Sequence, residues 1–424
     1  MISINFIRQN PELVKQAAVS KGMAVDIDRV LALDALLREV TVKIDDLRGE
    51  RNRLSKLIPT SKDNEKASIA EQARLLKTEL TTHEATARDL RTEFENLMLH
   101  VPSVPAAEVP FGKGEEDNVE LRKVGQVREF DFTPRDHVEL CEMHDMLDTQ
   151  RGAKVAGSRS YFLKNDAVFL ELAVNRFVLD FLTSRGFVPM SVPQLVKEKA
   201  MEGSGYFPIG FDQAYSIPED GLFLVGTSEV ALASYHQDEI LQLSQFPIKY
   251  AGISTCYRRE AGTYGRDTRG LYRVHQFQKV EQVVLCEAND AKADALHYEL
   301  LANAEAILQA LELPYRICLA CTGEIGIGQT KKHEVETWMP SRAAYCETHS
   351  CSTLGDFQAR RLGIRYRDAK GDMQYAFTLN NTGVASPRIL IPLLENHQNA
   401  DGSINIPKAL QPYMGRRKKI ECNS

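Results

Sequence analysis

Residues 257–281 carry five arginines (Arg258, Arg259, Arg266, Arg269, Arg273) and three glycines between two runs of strand-like alternation. A period of two puts Arg258 and Glu260 on one face of the first run, and Phe277, Lys279 and Glu281 on one face of the second. An arginine grips a phosphate or carboxylate through two donors, a carboxylate reads an exocyclic amine, and an aromatic face stacks on a base. These are the parts of a nucleotide site built without a phosphate loop. A surface hairpin laced with salt bridges is the alternative. Neither G-x-x-x-x-G-K-[ST] nor a strand-linked G-x-G-x-x-G occurs, and residues 323–328 space their glycines like neither.

Three further clusters could do chemistry. Thr227, Ser228 and Glu229 follow an apolar run and Gly226; a hydroxyl and a carboxylate there suit the amino group of a small ligand, or cap the next helix. Glu347, Thr348, His349 and Ser350 place one carboxylate near hydroxyls, a set suited to Mg2+ shared with phosphate oxygens, which needs few protein ligands. His349 and Cys351 lack an orienting third group, so covalent catalysis is not expected. Residues 378–388 read as a strand entering a small-residue turn, with Asn380 and Thr382 in it and Arg388 opening a helix over 389–397. Free N–H groups and a cation there favour an anion; pairing of Arg388 with Glu395 is the alternative.

The elements that must position these residues fall into two parts. The 424 residues are 43% hydrophobic and 26% charged with a net charge of -6, an ordinary globular composition with no global signal for a polyanion. Eight scattered cysteines read as buried thiols, Cys318 and Cys321 included, since no second metal-like pair lies near them. No run of 18 apolar residues is present, and the first residues lack an export or mitochondrial pattern, so a cytoplasmic protein without membrane contact is expected. Residues 28–100 carry two heptad stripes. The first runs through Leu33, Leu37, Val40, Ile44, Leu47, Leu54 and Ile58, interrupted by Arg51; the second through Ile69, Ala73, Leu76, Leu80, His83, Ala87, Leu90, Phe94 and Leu97. Residues 59–64 form the turn. Two such stripes hide against each other in an antiparallel coiled-coil hairpin whose cations Arg38, Lys43, Arg48, Arg51, Arg53, Lys56 and Lys62 face either solvent or a phosphate backbone.

Prolines 102, 105 and 110 and a Gly-rich acidic run mark a boundary, giving domains 1–110 and 111–424. In the second, helical patterns at 167–184, 288–311 and 355–362 accompany strand-like runs at 222–225, 253–257, 274–284, 317–320, 335–339, 345–350 and 375–379. The runs are too closely spaced for regular crossovers, so an α+β fold with a mostly antiparallel sheet is expected.

Arg-x-Glu, Gly-Arg-Asp-Thr-Arg-Gly and His-Gln-Phe-x-Lys-Val-Glu, in that order over 258–281, resemble the second signature of the class II aminoacyl-tRNA synthetases in its seryl form. The preceding Thr-x-Glu, the run Ser-Cys-Ser-x-x-x-Asp-Phe-Gln-Ala-Arg-Arg at 350–361 and the closing Leu-Glu-Asn-His-Gln follow in that family's order, and residues 186–193 resemble its first, dimer-forming signature. The resemblance implies a class II catalytic domain behind a tRNA-binding hairpin. It implies activation of serine with ATP and Mg2+, then transfer to the 3' end of serine tRNA by a homodimer, selenocysteine tRNA being a possible second acceptor. It assigns catalysis to Arg258, Arg388 and Glu347. ATP falls to Arg258, Arg259, Glu260, Phe277, Glu347, Thr348, His349, Ser350 and Arg388, with Mg2+ on Glu347 and Ser350. Serine falls to Thr227, Ser228, Glu229, Arg258, Glu281, Asn380 and Thr382, and the acceptor end to Arg266 and Arg269. Arg259, Asn381, Thr382, Ser386 and Pro387 depart from the family's common residues. The basic run 416–419 is expected to be a disordered, solubilising end, contact with RNA being the alternative. Two competing readings remain: a relative that loads another carrier, which would lose the hairpin, and a non-catalytic RNA-binding descendant, which would lose Arg258, Glu260 or Arg388.

Overall fold

The computed structural model describes residues 1–262 and 269–422. The chain divides into two compact units, Ile2–Pro102 and Ser103–Ser424 with Met1. In the first, the short helices α1 (Ile4–Gln9) and α2 (Pro11–Ser20) precede the long α3 (Ile27–Leu57) and α4 (Asp63–Met98). The side chain of Asp26 caps α3 by accepting from the Arg29 N–H at 2.9 Å, and Pro59 stands just past its end. Every residue of both heptad stripes is buried or half-buried, while their neighbours on the outer faces are exposed. Arg51 and His83 are half-buried in the seam, and Arg29 with Glu93 (2.7 Å) ties α3 to α4 at its edge.

The second unit is built on an eight-stranded sheet: β1 (Val119–Val124), β2 (Val188–Ser191), β3 (Ile248–Tyr257), β4 (Gln276–Cys286), β5 (Tyr315–Leu319), β6 (Lys331–Met339), β7 (Ala344–Gly355) and β8 (Phe377–Ser386). Their order is β1-β5-β6-β7-β8-β4-β3-β2. All neighbours are antiparallel except β2 with β3. The helices Asp166–Ser184 and Asp290–Ala310 cover one face, burying Val178, Leu182, Leu300, Ile307, Val280, Val284 and Val384 in the main core. Alternation along β4 then sends Phe277 and Lys279 to the opposite face. Gly383 in β8 is required by packing, since a Cβ there would lie 3.0 Å from Val178 Cγ1.

Two expectations need correction. The turn expected after Leu379 is strand: β8 runs unbroken to Ser386, because its backbone is paired with β4 along its length and with β7 at Asn380 and Asn381. The basic end is not simply solvated, as Arg417 pairs with Asp166 at 2.5 Å and Lys419–Ile420 forms a ladder with Ile404–Asn405. Cys318 and Cys321 are buried free thiols. Among the described residues no helix is long and apolar enough to cross a membrane, and no group of three His, Cys, Asp or Glu is arranged to hold a metal.

Candidate active site

Two adjoining clefts of about 100 and 500 Å³ open on the face of the sheet opposite the main core and share Arg258, Glu260, Tyr272, Arg273, Glu347 and Arg388. Arg258 follows β3 directly. Its N–H donates to the His275 carbonyl (3.0 Å), its Nε donates to the Gly226 carbonyl (3.3 Å), and its Cζ lies 5.2 Å from the Phe277 ring centroid. The guanidinium is thus fixed over the aromatic face across the β3 and β4 pair. Glu260 has a left-handed backbone (φ 51°) and pairs with Arg273 at 3.2 Å. At the other end Arg388 donates from Nε to the Tyr272 carbonyl (3.2 Å) and from Nη1 to the Glu347 carbonyl (3.1 Å), with the Glu347 carboxylate 3.7 Å away. Pairing of Arg388 with Glu395 does not occur; Glu395 is engaged by His137 and Ser341.

Behind Phe277 lies a buried polar layer. Lys279 pairs with Glu281 and donates to Thr227 Oγ1 at 3.4 Å, and Thr382 is the register partner of Glu281 across β4 and β8. Glu229 Oε1 accepts from Asn380 Nδ2 and Gln358 Nε2, both at 2.8 Å. Burial, reinforced by the like charge of Glu281, pushes the Glu229 carboxyl up to about 7. Burial also raises Glu281, against the pull of Lys279. A layer with two carboxylates and one ammonium is therefore short of positive charge.

Not every expected residue joins this arrangement. Arg259 is exposed and lines neither cleft, and its N–H donates to the Gln213 carbonyl. Ser228 is turned inward, donating to the Gly252 carbonyl at 3.1 Å. Thr348 and His349 line the smaller cleft but are tied to the sheet. Thr348 Oγ1 lies 2.6 Å from Thr337 Oγ1 and 2.9 Å from His349 Nδ1, and burial lowers His349 to about 4. Ser350 lines the same cleft. Arg269 pairs with Asp136 at 2.7 Å, and Arg266 lies outside the described residues.

Residues 1–105 match the family model described as seryl-tRNA synthetase N-terminal domain, and residues 214–397 match the tRNA synthetase class II core domain (G, H, P, S and T). A serine--tRNA ligase of Deinococcus radiodurans is 47% identical over 420 residues, 99% of each chain, and one of Dictyoglomus turgidum is 40% identical over 98% of each. The chain belongs to the seryl-tRNA synthetase family. A crystal structure of seryl-tRNA synthetase from Pyrococcus horikoshii complexed with ATP superposes with a TM-score of 0.92 at 36% identity over all of both chains.

Among the residues that line these clefts or bond to the assigned ones, the sequence assigned no role to Lys279, Gln358, Tyr206, Tyr272 and Glu334. Lys279 and Gln358 stood inside quoted motifs and share a face or a turn with assigned residues. Tyr206, which lines the larger cleft and whose hydroxyl burial holds above its usual range, has no local signal. Glu334 lines that cleft too and is the register partner of Ser350. Burial raises its carboxyl against the pull of Lys332, 2.6 Å away, and the like charge of Glu347 adds to the rise. Glu347, the Ser350 hydroxyl and Glu334, the last already paired with Lys332, offer oxygen ligands that fit a divalent cation shared with phosphate oxygens.

Proposed function

We propose that this chain activates serine with ATP and transfers it to serine tRNA. The observation that carries this reading is the joining of two sites of different character: Arg258 over Phe277 with Glu260 and Arg388 in an open cleft, and Lys279, Glu281, Thr227 and Glu229 in a buried layer behind it. The first suits a nucleotide triphosphate, with the base on Phe277, its amine toward Glu260, and the phosphates along Arg258 and Arg388. The second suits a small zwitterion: Glu229 and Glu281 meet the ammonium and Thr382 the hydroxyl. A pocket that pairs a buried hydroxyl rejects alanine, whose methyl would leave those groups without a partner.

A serine carboxylate oxygen attacks the α-phosphorus, the bond to the β-phosphate bridging oxygen breaks, and pyrophosphate leaves with that electron pair. Arg258 neutralises charge developing on the α-phosphate and Arg388 that on the leaving group. Glu347, Ser350 and Glu334 would hold Mg2+, which would supply further neutralisation of the phosphates. The 3'-hydroxyl of the tRNA then attacks the seryl carbonyl and AMP departs. Residues 1–110 bind tRNA in this scheme, their hairpin reading the RNA backbone by shape and charge. The exposed Phe169 and Leu172 of helix Asp166–Ser184 and exposed Val188 of β2 support reading this apolar face as that of a homodimer, and the same reading takes the enzyme to be cytoplasmic.

Serine-dependent exchange of pyrophosphate into ATP, run beside alanine, threonine and glycine and followed by charging of total tRNA and of selenocysteine tRNA, tests the whole scheme. Exchange with serine alone and charging of serine tRNA are expected. Exchange without charging points to another carrier, and no exchange by folded protein with Mg2+ ends the catalytic reading.

A further inference from the structure

We propose that His137 is a positioning residue for Arg388, acting through the backbone of residues 271 and 272; this rests on reading Arg388 as an ATP-binding group. His137 opens the helix His137–Met143 and is buried. Its backbone N–H donates to Glu395 Oε1 at 3.0 Å, and its Nδ1 lies 2.9 Å from the same oxygen. The other ring nitrogen, Nε2, accepts from the Leu271 N–H at 3.2 Å. A backbone N–H only donates, so Nε2 carries no proton, and the proton of the neutral ring sits on Nδ1 and is donated to Glu395.

Glu395 is itself immobilised. It is fully buried on the helix Leu390–His397, just after Arg388, and accepts from the Ser341 N–H (2.9 Å) and hydroxyl (2.8 Å) as well as from His137. The carboxylate fixes the ring, and the ring fixes the Leu271 amide. Tyr272 then closes the circuit: its carbonyl accepts from Arg388 Nε at 3.2 Å, and its ring lies 4.6 Å from the Arg388 Cζ. A hydrogen-bonded ring thus leaves the helix of Glu395, crosses His137 and residues 271 and 272, and returns to Arg388 at the head of that helix.

Gly270 shows how tight the contact is. Its φ is +72°, and a Cβ there would come within 2.1 Å of His137 Nε2. Without the Nε2 acceptor, the buried Leu271 amide loses its partner, and the Tyr272 carbonyl is left to the buried Leu271 side chain and the Arg342 contact on the Tyr272 ring, neither of which fixes the peptide's orientation. Serine is bound by other groups, so the effect falls on ATP.

Two substitutions separate the two ends of the imidazole. His137→Asn keeps a donor near the Nδ1 position and removes the acceptor at Nε2; His137→Gln carries a carbonyl out to the Nε2 position. Steady-state pyrophosphate exchange on the full chain, wild type beside both variants, should show the ATP KM of His137→Asn raised about tenfold. Its serine KM should stay within about twofold, and His137→Gln should restore the ATP KM to within about threefold of wild type. An unchanged ATP KM in His137→Asn, or equal rises in the ATP and serine KM, overturns the role of His137 while wild-type exchange keeps the enzyme reading intact. Wild type without exchange overturns both. If circular dichroism shows His137→Asn unfolded, Ser341→Ala loosens Glu395 instead; a rise of about twofold in ATP KM alone supports the proposal, and no rise overturns it.

Discussion

The hairpin and the catalytic sheet use the same charged residue types under opposite conditions. On the hairpin, Arg48 pairs with Glu84 at 2.8 Å with 50% and 39% of their side chains exposed, and Arg53 pairs with Glu50 at 2.6 Å one turn away. Such pairs are screened by salt, and their partners are exchanged for water at little cost. In the sheet, Lys279 and Glu281 are 8% and 2% exposed, Glu229 and Glu281 repel each other, and Glu334 is held between the pull of Lys332 and the like charge of Glu347. Buried charges of this kind are costly to hold, and replacing them with apolar groups often stabilises a protein. Their presence marks a layer arranged for a ligand's charges, whereas the hairpin's charges are compatible with folding alone.

The comparison breaks first at Arg258. Arg258→Ala should lower serine-dependent exchange by about a thousandfold or more, because the guanidinium meets charge that develops only in the transition state. Arg258→Lys keeps the charge but loses the paired donors, and should recover only part of the loss. Melting temperatures of both variants close to wild type would place the effect in catalysis; a fall in stability that tracks the lost activity would make Arg258 a structural residue.

Next in size is a cut in the hairpin. Replacing residues 41–86 by a short turn should leave exchange within about twofold and reduce tRNA charging by about a hundredfold, the loss expected when several phosphate contacts disappear. Equal losses in both assays would mean that the hairpin supports the catalytic unit and does not serve the RNA.

A pH experiment sharpens the contrast from the sheet side. The Glu229 carboxyl is raised from 4.5 to about 7, so the folded protein binds its proton more tightly than the unfolded chain does. Stability therefore falls as pH rises from about 4.5 through 7, and the cost is complete above that window. Glu229→Gln keeps an acceptor for Asn380 and Gln358, which both donate to one oxygen. It should raise the melting temperature at pH 8, with the gain shrinking toward pH 5. Wild-type serine KM should fall between pH 6 and 8 as the carboxylate forms, while the variant's stays flat and about tenfold higher at pH 8. A melting temperature lowered at pH 8 would show that the charge is already compensated in the empty protein.

These contrasts also explain what the sequence made legible. A heptad is a local pattern, and Leu33 through Leu97 kept their seam because each stripe lies on one face of a long helix and finds its partner in the next helix of the chain. In the sheet, pairing with neighbouring strands holds residues that look like a turn, and the run from Asn380 to Ser386 became strand through its ladder with β4, joined by β7 at Asn380 and Asn381. Motif order brought Arg258, Glu260, Phe277, Glu347 and Arg388 into one cleft, but it could not tell that Arg259 stays outside or that Ser228 turns inward. Whether a polar residue serves a ligand or the backbone depends on partners far away in the chain. His137 and Glu395 meet across an interval that no local spacing reveals.

The smallest expected effect is the finest test of the hairpin's role. Arg48 pairs with Glu84 across α3 and α4, yet an exposed pair contributes little to stability, so Arg48→Ala should move the melting temperature by no more than about 1 °C. If Arg48 meets an RNA phosphate, the same substitution should raise the tRNA KM a few fold and flatten its dependence on log salt by about 0.7 to 0.9, the release of one counterion. Glu84→Ala frees the same arginine and should leave the tRNA KM unchanged or lower it. A larger thermal shift in both variants with unaltered tRNA kinetics would assign the pair to the coiled coil, and the hairpin's cations would then have to be sought elsewhere along α3.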